Sequence, residues 1–240
     1  MQLDFTAREL TIKLVYYGPA LSGKTTNLQS LHAASVPEAT GRLMTLETRD
    51  DRTLFFDLLP LTFSSARGLS VRLKVFTVPG QVIHASTRRL VLQGADGVAF
   101  IADSRESETE HNAESYRDLR ENLKQNGLTA KQLPLVLQFN KRDMPNIRTE
   151  AELAEMADQG REPVYLATAV KRLGVVETFI GLLHMTWQTL DVKHGFIEKF
   201  AFDTSAFFAD VLTKLNDNRT LTEVLNCRVG GHGSRKEVAS

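Results

Sequence analysis

The sequence predicts an α/β fold, a three-layer sandwich in which helices cover both faces of a mostly parallel central sheet. Short apolar runs, rich in Val, Leu, Ile and Phe, alternate along the chain with longer amphipathic segments. Most of the runs are apolar throughout, as strands of a parallel sheet are when both of its faces are covered. This alternation of strand-like and helix-like segments is typical of a parallel sheet with helices on both sides.

The individual elements follow from the spacing of the apolar residues. Predicted strands cover residues 12–17, 71–78, 98–102, 135–139 and 164–167. Predicted helices cover residues 24–34, 84–93, 108–125, 150–158 and 175–193. Arg72 and Lys74 alternate with apolar residues, which predicts that this strand lies nearer an edge of the sheet. The stretch 37–70 is less regular, and we interpret it as a loop flanked on both sides by strand-forming sequence.

Composition excludes several classes of protein. The 240 residues suffice for one α/β domain with an appended segment. The chain has 29 basic residues (Lys and Arg) and 29 acidic residues (Asp and Glu), so its formal net charge is zero. A broad surface for nucleic acid would need an excess of basic residues, so we expect none. The single cysteine, Cys227, fits a reducing cytosol. Since there is neither a membrane-length apolar run nor a signal-peptide pattern, we expect a cytoplasmic protein without an integral membrane segment.

Residues 18–25 fit the phosphate-binding pattern G-x-x-x-x-G-K-[ST], between a predicted strand and a predicted helix. Its glycines let backbone N–H groups turn towards phosphate oxygens, and the helix N-terminus adds partial positive charge. Lys24 is expected to reach the outer phosphates, the Thr25 hydroxyl to ligate Mg²⁺, and Thr26 to contact the inner phosphate. The residues assigned to phosphate binding are Gly18, Ala20, Leu21, Ser22, Gly23, Lys24, Thr25 and Thr26. The alternative is a glycine-containing turn that fits the pattern by chance, and the pattern alone does not choose between ATP and GTP.

The choice of base comes from the sequence N-K-x-D directly after the fourth predicted strand. The Asp143 carboxylate can accept hydrogen bonds from the N1–H and 2-amino groups of guanine, and adenine has neither donor. The stem of Lys141 can cover one face of the ring, and Asn140 can tie its loop to the P-loop. After the next strand come Thr168 and Ala169, whose backbone could meet the guanine carbonyl. Although N-K-x-D could be a solvated turn, its position at a strand end after a P-loop predicts that GTP or GDP binds there.

The order of these motifs resembles that of Ras-like small GTPases, and more closely that of the bacterial MglA family of gliding-motility and polarity GTPases. The resemblance covers about residues 3–190. It rests on residues 15–19, 21–28, 51–57, 77–81, 112–115 and 120–123. It implies a P-loop GTPase domain over residues 1–193, with an MglB-like Roadblock activating protein and polarity or motility effectors as partners. Recruitment to a cell pole is a further expectation.

The resemblance also implies four roles in GTP hydrolysis. Gly80 would offer its N–H to the γ-phosphate, Gln81 would orient the attacking water, Thr53 would bind Mg²⁺ in the GTP form, and Arg52 would be an arginine finger supplied within the chain. The reaction needs an in-line water and compensation of charge on the transferred phosphoryl group, which these residues can provide. In the alternative interpretation, Arg52 belongs to a solvated charged loop and Gln81 to a structural turn.

Two positions depart from common patterns. Thr77 replaces the Asp usual in Ras-like proteins, as it does in MglA proteins. Ala20 stands where family members usually carry Gly, and its side chain would crowd the space needed by Gln81 and an arginine finger. We therefore expect slow hydrolysis without an activating partner. Three functions stay open: a GTP/GDP switch in polarity or motility, a GTP-binding regulatory scaffold with very slow or no hydrolysis, and a metabolic kinase, which Gln81 and the guanine motif disfavour.

Residues 194–240 exceed the family core and predict a helical C-terminal extension, with a disordered end from Gly230. Thr220 and Glu223 are spaced as a capping box for a short helical turn. An apolar face at helical spacing comprises Phe196, Ile197, Phe200, Phe207, Phe208, Val211, Leu212 and Leu215. The extension could fold back onto the core, bind a partner or a second copy, or lie on a membrane, which its net negative charge disfavours.

Overall fold

The structure is a computed structural model, and it describes residues 1–4, 6–46, 56–64, 70–80, 85–128, 132–200 and 202–230. Its strands are β1 (Gln2–Asp4), β2 (Glu9–Tyr17), β3 (Met44–Leu46), β4 (Phe56–Ser64), β5 (Ser70–Thr77), β6 (Gly97–Asp103), β7 (Leu135–Asn140) and β8 (Val164–Leu166). Its helices are α1 (Lys24–Ala34), α2 (Ala85–Leu92), α3 (Thr109–Gln125), α4 (Glu150–Gln159), α5 (Val175–His194), α6 (Phe196–Phe200), α7 (Thr204–Lys214) and α8 (Leu221–Leu225). None of the helices in this part of the chain has the length and apolar character that a bilayer span would require.

The sheet has the strand order β3-β4-β5-β2-β6-β7-β8, with β1 antiparallel beside β2. Strands β5, β2, β6, β7 and β8 pair in parallel, whereas β3, β4 and β5 pair antiparallel. The predicted α/β fold with a mostly parallel sheet is therefore confirmed. The carboxyl ends of β2, β6 and β7 lie along one edge, so the loops that follow them meet there.

The prediction that residues 71–75 lie nearer an edge is wrong. Strand β5 is an inner strand, with β2 on one side and β4 on the other. Its alternating sequence reflects its two faces, because Val71 and Leu73 are buried while Arg72 is exposed. The strand-forming flanks predicted within 37–70 are confirmed as β3 and β4, and the loop predicted between them lies outside the described residues.

Successive side chains of β2 point to two separate cores. Leu14 and Tyr16 face a core shared with α1, α5 and α7. Val15 and Tyr17 face a second core, to which α2 and α3 contribute. Helices thus cover both faces of the sheet, as the sequence predicts.

The C-terminal helices pack on the first of these cores. Trp187 of α5 stacks on Phe207 of α7 with ring centroids 4.5 Å apart, and Phe207 also contacts Phe63 of β4. The capping box of Thr220 and Glu223 is present at the start of α8. In the described residues the extension is therefore folded back onto the core, the first of the three interpretations.

The extension also forms hydrogen bonds with two distant parts of the α/β core, one near α1 and one at β8. Near α1, Val36 N–H donates to the Lys214 carbonyl over 2.8 Å, and Asn216 Nδ2 donates to the Ala34 carbonyl over 2.7 Å. At the far edge of the sheet, Val229 N–H donates to the Val164 carbonyl of β8 over 2.7 Å. The predicted disordered end begins at Gly230, and residues 231–240 lie outside the described part of the chain.

Candidate functional site

The P-loop joins the end of β2 to the start of α1. Gly18 and Gly23 both have positive φ, and a Cβ at Gly18 would lie 2.2 Å from the Ile101 carbonyl oxygen. A Cβ at Gly23 would lie 2.2 Å from Asn140 Nδ2, so both positions require glycine. No side chain caps α1, and its first-turn N–H groups therefore face the cleft in front of the helix. This arrangement suits an anion.

Lys24 is buried beneath this loop, with 7% of its surface exposed. Its Nζ donates to the carbonyls of Gly18 over 2.9 Å and Pro19 over 2.6 Å. Burial, and then the nearby charge of Arg88, lowers the pKa of Lys24 to about 7, although Asp57 acts in the opposite direction. An anion in the cleft would favour the charged form of this ammonium.

Asp57 of β4 is the carboxylate of the cleft, and the sequence analysis assigned it no role. It is buried, and its Oδ2 accepts from Thr25 Oγ1 over 2.6 Å and from Thr77 Oγ1 over 3.0 Å. Thr45 Oγ1 donates to its other oxygen over 2.9 Å. Two features of the sequence could have indicated a role for Asp57. It is the one charged residue of β4, and Thr77, which it contacts, stands where Ras-like proteins usually carry Asp.

These groups line a cleft of about 780 Å³. The lining residues are Ala20, Leu21, Gly23, Lys24, Thr25, Thr26, Thr45, Phe56, Asp57, Thr77, Val78, Pro79 and Gly80. The cleft thus combines most of the P-loop with the segment that follows β5. Within the described residues there is no group of three or more His, Cys, Asp or Glu side chains that could hold a metal by themselves.

Gly80 lies directly against the P-loop. A Cβ on Gly80 would be 2.4 Å from Ala20 Cα and 2.5 Å from its nitrogen, so only glycine allows this approach. The predicted hydrolytic residues Arg52, Thr53 and Gln81 lie outside the described residues.

Asn140 joins three segments at the carboxyl edge of the sheet. Its Nδ2 donates to the Ser22 carbonyl over 2.8 Å, which is the predicted link between its loop and the P-loop. Its Oδ1 accepts from Ala169 N–H over 3.0 Å. The N–H expected to meet a guanine carbonyl is therefore already used within the protein, and a carbonyl there would have to share it. Thr168 is buried beside Ala169.

Lys141 and Asp143 are the other two residues of the predicted base site. Lys141 has a left-handed backbone with φ of 66°, and its Nζ lies 2.7 Å from Asp103 Oδ2 at the end of β6. The Asp143 carboxylate is partly exposed, with Lys171 Nζ 4.0 Å away. Asp103 was not singled out from the sequence, although it is the acidic residue that ends an otherwise apolar strand.

Comparison with known proteins agrees with this geometry. No protein-family model matches the chain. The chain is 44% identical over 176 residues to the mutual gliding-motility protein MglA of Myxococcus xanthus (strain DK1622), a match covering 73% of this chain and 90% of that protein. The resemblance found in the motifs is thereby confirmed, and the chain belongs to the MglA family of gliding-motility small GTPases.

Proposed function

We propose that this chain binds GTP and GDP with Mg²⁺, hydrolyses GTP slowly, and acts as a nucleotide-controlled switch in cell polarity or motility. The observation that carries the proposal is the bridge made by Asn140. One buried side chain fixes the N-K-x-D loop to the P-loop at Ser22 and to the loop at Ala169. Such a bridge sets the distance between a phosphate site and a base site.

On the phosphate side, the uncapped N-terminus of α1 and the buried Lys24 supply the positive potential. The residues proposed to contact the phosphates are those assigned from the sequence: Gly18, Ala20, Leu21, Ser22, Gly23, Lys24, Thr25 and Thr26. On the base side, Asp143 would accept the N1–H and 2-amino groups of guanine, with Lys141 along the ring. Asn140, Thr168 and Ala169 would frame that pocket.

The oxygen atoms of Thr25 and Asp57 support a proposed magnesium site at the P-loop. Mg²⁺ usually takes one or two protein oxygens together with phosphate oxygens and waters, so it needs no cluster of carboxylates. The Thr25 hydroxyl would be a direct ligand, and Asp57 would hold a metal-bound water in place of the carboxylate that Thr77 lacks. When bound, the ion neutralises charge on the phosphates. Thr53 is proposed as a further ligand in the GTP form.

Hydrolysis is proposed to use Gln81 to orient the water, Arg52 to compensate charge and the Gly80 N–H to bind the γ-phosphate. The same γ-phosphate contacts would order the segments around Thr53 and Gly80, which is the differential interaction that a switch requires. Gly80 packs against the backbone of Ala20, the residue that carries a methyl group where family members usually have Gly. This contact favours a second candidate, a GTP-binding scaffold with very slow or no hydrolysis.

Partners and location follow from the family. We propose an MglB-like Roadblock activating protein and polarity or motility effectors that bind the GTP form, in the cytoplasm or at a cell pole.

The proposal is tested by the selectivity for guanine. The purified chain should retain fluorescent GDP, with GTP competing and ATP failing at a hundredfold excess. Asp143→Ala should weaken GDP binding about 100-fold, since two hydrogen bonds to a charged acceptor are lost. Glu110→Ala, which removes an exposed carboxylate from α3, is the matched control and should bind like wild type. Equal competition by ATP and GTP would overturn the proposal.

A further inference from the structure

Lys141 combines an unusual backbone conformation with a side chain that is fixed by an ion pair. Its φ of 66° lies in the left-handed region, which residues other than glycine rarely adopt. The Lys141 ammonium reaches back across the ends of two neighbouring strands to Asp103 Oδ2, 2.7 Å away. Asp103 and Asn140 are paired in register at the ends of β6 and β7, so the ion pair links the end of β6 to the N-K-x-D loop that follows β7.

Asp103 is itself fixed by several contacts. Arg105 donates to both of its carboxylate oxygens, from Nε over 3.1 Å and from Nη2 over 2.7 Å. The backbone of Asp103 is held by the Asn112 side chain, which accepts from its N–H and donates to its carbonyl. Only 3% of the Asp103 surface is exposed. The carboxylate is therefore held in a fixed position, where it can form an ion pair with a flexible lysine side chain.

The charge on this carboxylate is maintained despite its burial. Burial alone would raise the pKa of Asp103, but hydrogen bonds from Arg105 and Lys141 outweigh it and hold the pKa below its usual value. Two cations thus share one buried anion. Arg105 binds both carboxylate oxygens and Lys141 binds one, so the bond to Lys141 is the contact that links Asp103 to the N-K-x-D loop.

We propose that Asp103 is a positioning residue of the guanine site: it holds the Lys141 stem in place along the base and thereby slows nucleotide dissociation. This role rests on the proposed function. It assigns Asp103 no contact with the nucleotide, since its carboxylate is buried and both oxygens are used by cations. A lysine stem that is fixed before binding loses less conformational freedom when the base arrives.

The test is a double-mutant cycle read by the dissociation rate of fluorescent GDP. Asp103→Asn keeps the shape of the side chain and removes its charge, and it should raise the dissociation rate about tenfold. Lys141→Met keeps an unbranched apolar stem and removes the ammonium, and it should raise the rate by a similar factor. In the Lys141→Met background, Asp103→Asn should then change the rate less than twofold, because no ammonium is left to position.

Glu108→Gln is the matched control. Glu108 is the other carboxylate near Arg105, at 3.5 Å, but it makes no contact with Lys141. This variant should release GDP at the wild-type rate. Thermal melting of each variant separates loss of fold from loss of positioning, and if Asp103→Asn does not fold, the tenfold effect of Lys141→Met alone decides the outcome.

Three results would overturn the role of Asp103 and leave the proposed function standing. The first is a wild-type dissociation rate in Asp103→Asn, and the second, where that variant does not fold, is a wild-type rate in Lys141→Met. The third is an equal effect of Asp103→Asn in both backgrounds. A wild-type chain that fails to retain GDP would instead overturn the proposed function, and this role with it. Because wild-type retention is measured first, the two failures are distinguishable.

Discussion

Asp57 accepts hydrogen bonds from three threonine hydroxyls, one of which belongs to the P-loop. If Asp57 holds a Mg²⁺-bound water, Asp57→Asn should raise the Mg²⁺ concentration needed for half-maximal GDP retention about tenfold, because a full negative charge beside the cation is lost. The measurement is GDP retention across a Mg²⁺ titration buffered with EDTA.

Thr45→Val supplies the control for Asp57. It removes one hydrogen bond to the same carboxylate and leaves the charge, so its Mg²⁺ requirement should stay close to that of wild type. An unchanged Mg²⁺ requirement in Asp57→Asn, with GDP binding retained, would show that this carboxylate does not serve the metal.

The backbone of Ala20 lies where Gly80 approaches the P-loop, since a Cβ added to Gly80 would be 2.4 Å from Ala20 Cα. Removing the Ala20 methyl group should give Gln81 and Arg52 room to reach the γ-phosphate. We expect Ala20→Gly to raise the single-turnover rate of GTP hydrolysis about tenfold, equivalent to about 1.4 kcal/mol in the barrier, with GDP affinity unchanged. Equal hydrolysis rates in the two proteins would contradict the crowding argument.

Among individual residues, those within a contiguous motif could be predicted and those that meet it through the fold could not. Lys24 and Asn140 are predicted because each belongs to a motif with a fixed local spacing. Asp57 and Asp103 reach the same site from β4 and β6, and the motif residues that they contact, Thr25 and Lys141, are distant from them in sequence. Only the strand order brings Asp57 to Thr25, which is 32 residues away.

At the level of elements, the best predictions are those with both apolar periodicity and clear ends. Helix α5 was predicted over 175–193 and spans Val175–His194, between Gly174 and Gly195, which both have positive φ. The order of the strands was less accessible. The alternating sequence of β5 suggests a place near an edge of the sheet, but the antiparallel strand β4 pairs with β5 on that side. Nothing in the local pattern of β5 specifies that neighbour.

The extension shows the same limit between elements. Its apolar face could be predicted from helical spacing, but the surface that it covers could not. That surface is formed by Trp187 of α5 and Phe63 of β4, which are far apart in sequence. The aromatic rings meet because α5 packs on the face of the sheet to which the Phe63 side chain of β4 points.

Across the whole molecule, the extension runs from the end of α1 past α5 to the edge strand β8, where Val229 packs against the second core. It contacts the end of α1 through Asn216, the first turn of α5 through an Arg219–Glu177 ion pair of 2.8 Å, and β8 through Val229. Since α1 begins at the P-loop and α5 follows the loop of Thr168 and Ala169, these contacts brace elements that carry both halves of the proposed nucleotide site.

The predicted division into a domain over 1–193 and an extension over 194–240 is best tested by truncation. A chain ending at Lys193 would expose Trp187 and Phe63 and lose the buried Phe207 and Phe208. Since removing one buried Phe side chain costs about 3–5 kcal/mol, we expect the melting temperature to fall by more than about 10 °C and GDP retention to decline with it. A chain ending at Gly230 keeps every contact described above and should melt like the full chain. If the chain ending at Lys193 also melted like the full chain, residues 1–193 would be an independent domain, and the packing of Phe207 on Trp187 would contribute nothing to its stability.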